Sequence, residues 1–205
     1  MKKKLLLLSA LLLVCFICIT SESKSQAFDK GRSYIHASYG FGNFIQSVFK
    51  IYETDYDNFS SKIMGPMFFK YEYAISEKMG IGVNFAYASA SVSYQDNSWV
   101  MTNGDVYKGT IDWSTYSILA RFNLHMGDHE VIDPYWGVGM GYRIANWEYA
   151  DNDPSYVSSV SIGNFFPLGF ETTFGCRFMF AKTFGLFGEV GIAKAIFQAG
   201  LVGSF

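Results

Sequence analysis

Along Phe68-Phe69-Lys70-Tyr71-Glu72-Tyr73-Ala74-Ile75, the large residues Phe69, Tyr71, Tyr73 and Ile75 alternate with Phe68, Lys70, Glu72 and Ala74. Successive side chains of a strand point to opposite faces, so a period of two marks β-structure. The period recurs along the chain. Ile81, Val83, Phe85 and Tyr87 alternate with Gly82, Asn84, Ala86 and Ala88, and Tyr116, Ile118, Ala120, Phe122 and Leu124 alternate with Ser117, Leu119, Arg121, Asn123 and His125. Trp136 to Ala145, Leu168 to Met179, Phe184 to Ile192 and Phe197 to Phe205 repeat the pattern, and Ile35, Ala37, Tyr39 and Phe41 open it. Eight strands are predicted, and the fold class is all-β.

What stands opposite the bulky residues separates two architectures. A soluble sandwich turns its second face to water and loads it with charge, whereas here that face carries mostly Gly, Ala, Ser and Thr. Bulky residues facing hydrocarbon and small ones crowding a narrow interior suit a closed transmembrane barrel. The segments are near the roughly 9–11 residues that a tilted strand needs to cross a bilayer. Connection lengths agree with an up-and-down antiparallel order, since such barrels alternate short periplasmic turns with longer outer loops. Long stretches 43–61, 96–109 and 150–163 alternate with the shorter 76–79, 126–133 and 181–183, and the brief 193–195 is the exception. Trp99, Trp113, Trp136 and Trp147, near strand ends, are placed in interfacial aromatic belts.

The first residues carry a different signal. Lys2, Lys3 and Lys4 precede the apolar run from Leu5 to Ile19, and Ser25-Gln26-Ala27 puts small residues at −3 and −1 of a cut after Ala27, the pattern of a cleavable secretory signal peptide. The apolar run is shorter than the roughly 20 residues of a membrane-spanning helix. Two domains are therefore expected: a signal peptide over 1–27 and a barrel over 28–205. Cleavage removes Cys15 and Cys18, so Cys176 is the only cysteine expected in the mature chain, and no internal disulfide forms. Val14 and Ile17 precede the two lost cysteines where a lipoprotein signal requires small residues. Twelve Lys and Arg then stand against seventeen Asp and Glu, a formal charge of −5. That balance lacks the basic face of a nucleic-acid binder.

The terminal Phe197-x-Ala199-x-Leu201-x-Gly203-x-Phe205, the eight alternating strands and the leader together resemble the small eight-stranded outer-membrane barrels, OmpX-like and similar to the OmpA transmembrane domain. The resemblance covers nearly the whole mature chain and implies architecture more than task. It implies Sec-type export to the outer membrane of a Gram-negative bacterium, with lipid and lipopolysaccharide as surroundings. It also implies that Phe197, Ala199, Leu201, Gly203 and Phe205 are the signal read by the barrel-assembly machinery. OmpA-like proteins usually continue into a peptidoglycan-binding domain; this chain stops at Phe205, and tethering to the cell wall is not expected.

Candidate chemistry lies on the small-residue face. Lys70, Arg121, Arg143 and Arg177 share it with Glu72, Glu171 and Glu189, joined by Asn84, Asn123 and Gln198. Opposite charges in near balance inside an eight-stranded barrel predict an ionic plug, because buried charges persist when paired. Gly137, Gly139 and Gly141 either leave space for conduction or make room for long side chains from neighbouring strands. A narrow passive channel for small hydrophobic molecules, similar to the OmpW type, is thus the alternative.

His36-Ala37-Ser38 matches the His-x-Ser pair of lipid A deacylases, but strand parity puts His36 on the lumen side near the periplasmic end, away from the outer leaflet where that chemistry occurs. The outer loops contain no histidine for an acyltransferase. No catalytic residue, metal ligand or cofactor is assigned. Gly137-x-Gly139-x-Gly141 lacks the third glycine spacing of a nucleotide loop, and Asp151-Asn152-Asp153 has Tyr156 and Ile162 where a calcium loop needs Gly and Glu. His125 and His129 are separated by turn-like Met126-Gly127-Asp128. Glu53, Asp55, Asp57, Asp96, Asp105, Asp151 and Asp153 make the outer loops acidic, either as ordinary solvated charge or as loose divalent-cation sites, and Tyr52 and Tyr56 offer contact surface. The expected role is non-catalytic: a structural or surface-interaction protein working through 43–61, 96–109 and 150–163 on an unidentified extracellular ligand or surface partner.

Overall fold

A computed structural model describes residues 27–42, 57–101, 104–153, 159–162 and 167–205. Nine strands occur among them: β1 (Ser33–Phe41), β2 (Asp57–Ala74), β3 (Met79–Val100), β4 (Val106–His125), β5 (Ile132–Asp151), β6 (Ser159–Ile162), β7 (Leu168–Ala181), β8 (Phe184–Ile192) and β9 (Phe197–Ser204). Eight of them close a ring in the order β1-β2-β3-β4-β5-β7-β8-β9, every neighbouring pair antiparallel, and β9 returns to β1. Ser33 and Phe205 exchange backbone hydrogen bonds at 2.9 and 3.0 Å, so the seam is paired to its last residue. Over the span where β1 and β9 are paired the ring has no open edge, which a structure in lipid requires.

The ninth strand is outside the ring. β6 pairs with β5 from Trp147 to Ala150, adding a short outer strand in the region expected to be loop. The stretches 43–61, 96–109 and 150–163 are accordingly only partly loop: β2 begins at Asp57, β3 and β4 run to Val100 and from Val106, and β5 reaches Asp151. The expected loop positions 43–56, 102–103, 154–158 and 163 lie outside the described residues, as do residues 1–26 of the expected signal peptide.

Strand lengths make the wall uneven. β1, β8 and β9 have 9, 9 and 8 residues, close to one bilayer crossing, whereas β2 to β5 have 18, 22, 20 and 20. Outward side chains show where the extra length goes. On β4 they run Phe122, Ala120, Ile118, Tyr116 and then change to Ser114, Asp112 and Thr110. Tyr116 is in register with Tyr87 of β3, and Tyr39 of β1 is in register with Met67 of β2, which pairs Tyr87. This tyrosine-bearing row marks the outer rim of the apolar band, and β2–β5 rise beyond it as a polar-faced wall.

The aromatic-belt expectation is corrected for two tryptophans. Trp113 and Trp147 pack on each other with ring centroids 5.9 Å apart, and Trp113 is buried on the inner face of the raised wall with Ala88, Ala90 and Val92. Their parity puts them inside: unbroken alternation from buried Arg121 through Ser117 and Thr115 brings Trp113 to the same side. Trp136 does face outward, donating to Thr172 at 2.9 Å. The side chain of Trp99 is outside the described set.

The brief 193–195 connection also has a physical account. Its chain folds into the mouth of the barrel, where Ala195 is buried against Phe68 and Ala86. At the opposite end the residues just before β1 fold inward. Ala27 donates to the His129 carbonyl at 3.1 Å, and Phe28 is buried with Tyr34, Ala74, Met179, Phe187 and Val202.

Candidate functional site: a lumen-spanning polar network

Glu189 projects inward from β8 and is the centre of the lumen. Its Oε2 accepts from Lys70 Nζ at 2.7 Å, Thr173 Oγ1 at 2.8 Å and Gln198 Nε2 at 2.9 Å. Its Oε1 accepts from the Tyr135 hydroxyl at 2.8 Å and from Arg121 Nη2 at 3.1 Å. The donors come from β2, β4, β5, β7 and β9, so one carboxylate ties six of the eight ring strands across the interior. Arg121 extends the network with Nη1 to Glu171 Oε1 at 2.6 Å, Nη2 to Thr173 at 2.8 Å and Nε to Asn123 Oδ1 at 2.8 Å. Asn84 completes Glu171 by donating to its Oε2 at 2.7 Å and brings in β3.

A second group lies toward the short-turn end. Glu72 takes Arg177 Nη2 at 2.6 Å and Asn123 Nδ2 at 2.7 Å, and it faces His125 Nε2 at 2.9 Å. The other ring nitrogen of His125 faces Asp133 at 2.9 Å, and Arg177 Nη1 is 3.6 Å from Asp133. Rings enclose the Arg177 guanidinium: Tyr34 at 4.4 Å, Tyr135 at 5.4 Å and Phe28 at 5.7 Å from ring centroid to Cζ. Phe28 also stacks on His125 at 3.4 Å and so lids this group from below.

Lys70, Glu72, Arg121, Glu171, Arg177 and Glu189 are thus brought together, each at most 5 % exposed. Arg143 is not with them. It projects one step beyond Gly141 on β5 into the open mouth, where it is exposed and its Nε faces Thr115 Oγ1 at 3.4 Å. Strand parity alone put all four cations on one face; height along the strand separates Arg143 from the rest.

His125, Asp133, Tyr135 and Thr173 were missed as members. His125 and Thr173 share inward parity with the named residues, and that signal was present in the sequence. Asp133 sat in an expected turn, and Tyr135 shared the inward parity but preceded the expected strand start. The inward glycines make room for long side chains: a Cβ on Gly137 would lie 2.1 Å from Arg121 Nη2, and one on Gly139 would lie 2.8 Å from Glu171 Cγ.

The arrangement crowds the lumen at this level. A cavity of about 10 Å³ is left beside His36, Lys70, Glu72 and Glu189, near the size that holds a single water (roughly 10–15 Å³). His36 is buried there with no hydrogen bond to either ring nitrogen, while Ser38 Oγ bonds to Gln198 Oε1 at 3.2 Å, so His36 and Ser38 form no nucleophile–base pair. No cluster of three or more metal-ligating side chains occurs among the described residues. On β9 and at the residue that follows it, Phe197, Leu201 and Phe205 are exposed on the outer surface, and Ala199 and Gly203 are partly exposed at the intervening outward positions.

A closed eight-stranded barrel with an outer apolar band and a polar interior defines an outer-membrane barrel protein. Residues 9–202 match the family model described as the outer membrane protein beta-barrel domain, and the chain belongs to that family. No curated protein sequence matches it. Among solved structures it is similar to Ail, the attachment invasion locus protein of Yersinia pestis, at 13% identity over 85% of this chain and 97% of that chain, with a TM-score of 0.40. It is also similar to the N-terminal β-barrel domain of Pseudomonas aeruginosa OprF (14% identity, 86% and 97% covered, TM-score 0.37) and to Pseudomonas aeruginosa OprG (11%, 88% and 99%, 0.43). The protein is accordingly assigned to the Gram-negative outer membrane.

Proposed function

We propose that the protein is a non-conducting, non-catalytic outer-membrane barrel that works through its extracellular end. The observation that supports it is the buried network: Glu189 alone is hydrogen-bonded to side chains from five other strands, which crowds the lumen at that level. Above it, the raised β2–β5 wall presents in register Lys62, Ser91, Asp112 and Glu148, and beside them Met64, Ser89, Ser114 and Asn146. A depression of about 630 Å³ is lined by these residues. A rigid, polar, partly concave sheet held clear of the lipid suits contact with a surface partner.

The test is planar-bilayer recording of the purified protein, with binding to host or envelope surfaces measured in parallel. No steady single-channel current is expected from the wild type, and shortening the β3–β4 hairpin beyond Gly109 and Asp96 is expected to abolish surface binding. Steady conductance or ligand uptake by the wild type supports the narrow-channel alternative instead, and a change in lipid A mass that depends on His36 supports lipid modification.

Two further parts of the reading concern biogenesis: Sec-type export with a cut after Ala27, and recognition of Phe197, Ala199, Leu201, Gly203 and Phe205 by the barrel-assembly machinery. The outward, lipid-side placement of the exposed aromatics on β9 supports the second. Phe205→Ala is expected to lower the folded, heat-modifiable fraction recovered from outer membranes; an unchanged fraction refutes it. N-terminal sequencing of the mature protein checks the cut.

A further inference from the structure

The two halves of the plug balance their charges differently. Around Glu189, the carboxylates Glu171 and Glu189 are met by two permanent cations, Lys70 and Arg121. Toward the short turns, Glu72 and Asp133 share a single permanent cation among the described residues, Arg177, at 2.6 and 3.6 Å. The missing charge falls to His125. Its Nε2 is 2.9 Å from Glu72 Oε1, and its Nδ1 is 2.9 Å from each oxygen of Asp133. Ionised carboxylates only accept hydrogen bonds, so both ring nitrogens must donate, and a ring that donates twice is an imidazolium. Two buried carboxylates need that second cation, because an unpaired charge away from water is costly.

The same ring carries a lid. Phe28 lies flat on His125, with ring centroids 3.4 Å apart and planes within 9°, and its face also covers the Arg177 guanidinium at 5.7 Å. An aromatic face attracts a cation, so the stack is stronger while the imidazole is charged. On either side of Phe28, Ala27 donates to the His129 carbonyl at 3.1 Å and the Asp29 amide to the Tyr34 hydroxyl at 2.9 Å. Lys30, the next residue, is exposed.

We propose that His125 is a proton-operated latch: as imidazolium it clamps Glu72 of β2 to Asp133 of β5 and holds the Phe28 lid over the short-turn mouth, and loss of its proton frees both. Imidazole is the side chain whose ordinary proton loss falls near neutral pH. The neutral ring keeps one N–H, so one carboxylate then faces a lone pair at hydrogen-bond distance. Asp133 is the partner placed to leave, being the second residue of β5 beside the 126–131 connection. The closed state binds one more proton than the open state, so raising the pH opens the latch. Other groups near the ring do not bridge carboxylates in this way. Tyr135 of β5 lies 5.4 Å away between centroids and donates its hydroxyl to Glu189. Lys78, in the turn between β2 and β3, offers its carbonyl to the His125 amide at 2.8 Å, and its ammonium is 3.5 Å from Asp128 at the surface. His36 of β1 lines the small cavity with Glu72 and makes no hydrogen bond through its ring.

Two measurements on the barrel in detergent test the latch. Nitrogen-15 NMR of the histidine-labelled wild type at pH 7 is expected to show one ring, absent from His125→Gln, with both nitrogens protonated. Tryptic cleavage after Lys30, followed by intact mass and normalised at each pH to a free peptide spanning residues 27–33, reads release of the lid. The normalised wild-type rate is expected to be low at pH 7 and to rise toward pH 9.5 by up to about tenfold per unit as the proton leaves. His125→Gln is expected to be cleaved fast at every pH. Asp133→Asn is expected to stay protected at every pH, because its amide can donate to the neutral ring and Arg177 then matches Glu72 one to one, a rescue that a merely structural role would not give. His36→Asn is expected to keep the wild-type profile, and heat-modifiable mobility identifies folded variants. A neutral His125 ring in the wild type at pH 7, equal normalised cleavage at pH 7 and 9.5, or a wild-type pH profile in His125→Gln overturns the proposal. Conductance reports the Glu189 level and cleavage the lower latch, so this failure is separable from failure of the closed-lumen reading.

Discussion

Glu189→Leu is expected to lower the unfolding free energy of the barrel by about 3–5 kcal/mol, the cost of removing one partner from a buried ion pair. The reason is what remains. Lys70, whose ammonium is 2.7 Å from the Glu189 carboxylate and essentially buried, is left with no carboxylate in contact, and Arg121 keeps only Glu171. Tyr135, Thr173 and Gln198 each lose the acceptor that oriented them. Urea unfolding in lipid vesicles, followed by tryptophan fluorescence, measures the loss. Adding Lys70→Met is expected to restore part of it, since the stranded charge goes with its partner. Gly137→Val, which displaces Arg121 by overpacking, is expected to act in the same direction by about 1–3 kcal/mol. The leucine variant is also expected to conduct intermittently in planar bilayers where the wild type does not. If Glu189→Leu unfolds at the wild-type urea concentration, the network is not what holds the lumen together.

Arg177→Met carries the second large effect, again about 3–5 kcal/mol, because Glu72 and Asp133 then share a buried site with only His125 and the neutral Asn123 amide as partners. Methionine fits the space well, and it also removes the cation about which Tyr34, Tyr135 and Phe28 are arranged. The consequence is expected to be local as well as global. Phe28 loses one of the two groups it covers, so hydrogen exchange at the backbone amides of Asp29 and Gly31 is expected to speed up ahead of the amides of β4. Wild-type exchange rates at these two amides in the methionine variant would show that the segment before β1 is held by something other than the guanidinium.

Much of the lumen was legible because alternation is a local property of the chain. Once Phe69, Tyr71 and Tyr73 are read as lipid-facing, Lys70 and Glu72 must point inward, and the same step assigns Arg121, Glu171, Arg177 and Glu189. Parity says nothing of height, however. Arg143 shares the inward face but stands above the plug, because contact across a barrel depends on the stagger of strands far apart in sequence. His125 was assigned no role for a related reason: its partners Glu72 and Asp133 meet it only when β2, β4 and the start of β5 close around one point.

The extent of the outer wall was hidden as well. The alternation was followed only to Ala88 and from Tyr116, because Ser89, Ser91, Asp112 and Ser114 lack the lipid-facing apolar row, and 96–109 read as loop; yet pairing continues through these polar residues as β3 and β4 zip to Asp96 and Tyr107. Backbone hydrogen bonding carries a strand past the end of its hydrophobic pattern. Sequence periodicity by itself therefore determined the strand type, the number of ring strands and the side each residue takes, since those depend only on a two-residue repeat and on the preference of bulky apolar groups for hydrocarbon. Only the closed structure decided which charges meet, how far the wall rises and which residues fold into the two mouths, because each depends on the register between strands that the chain order keeps far apart.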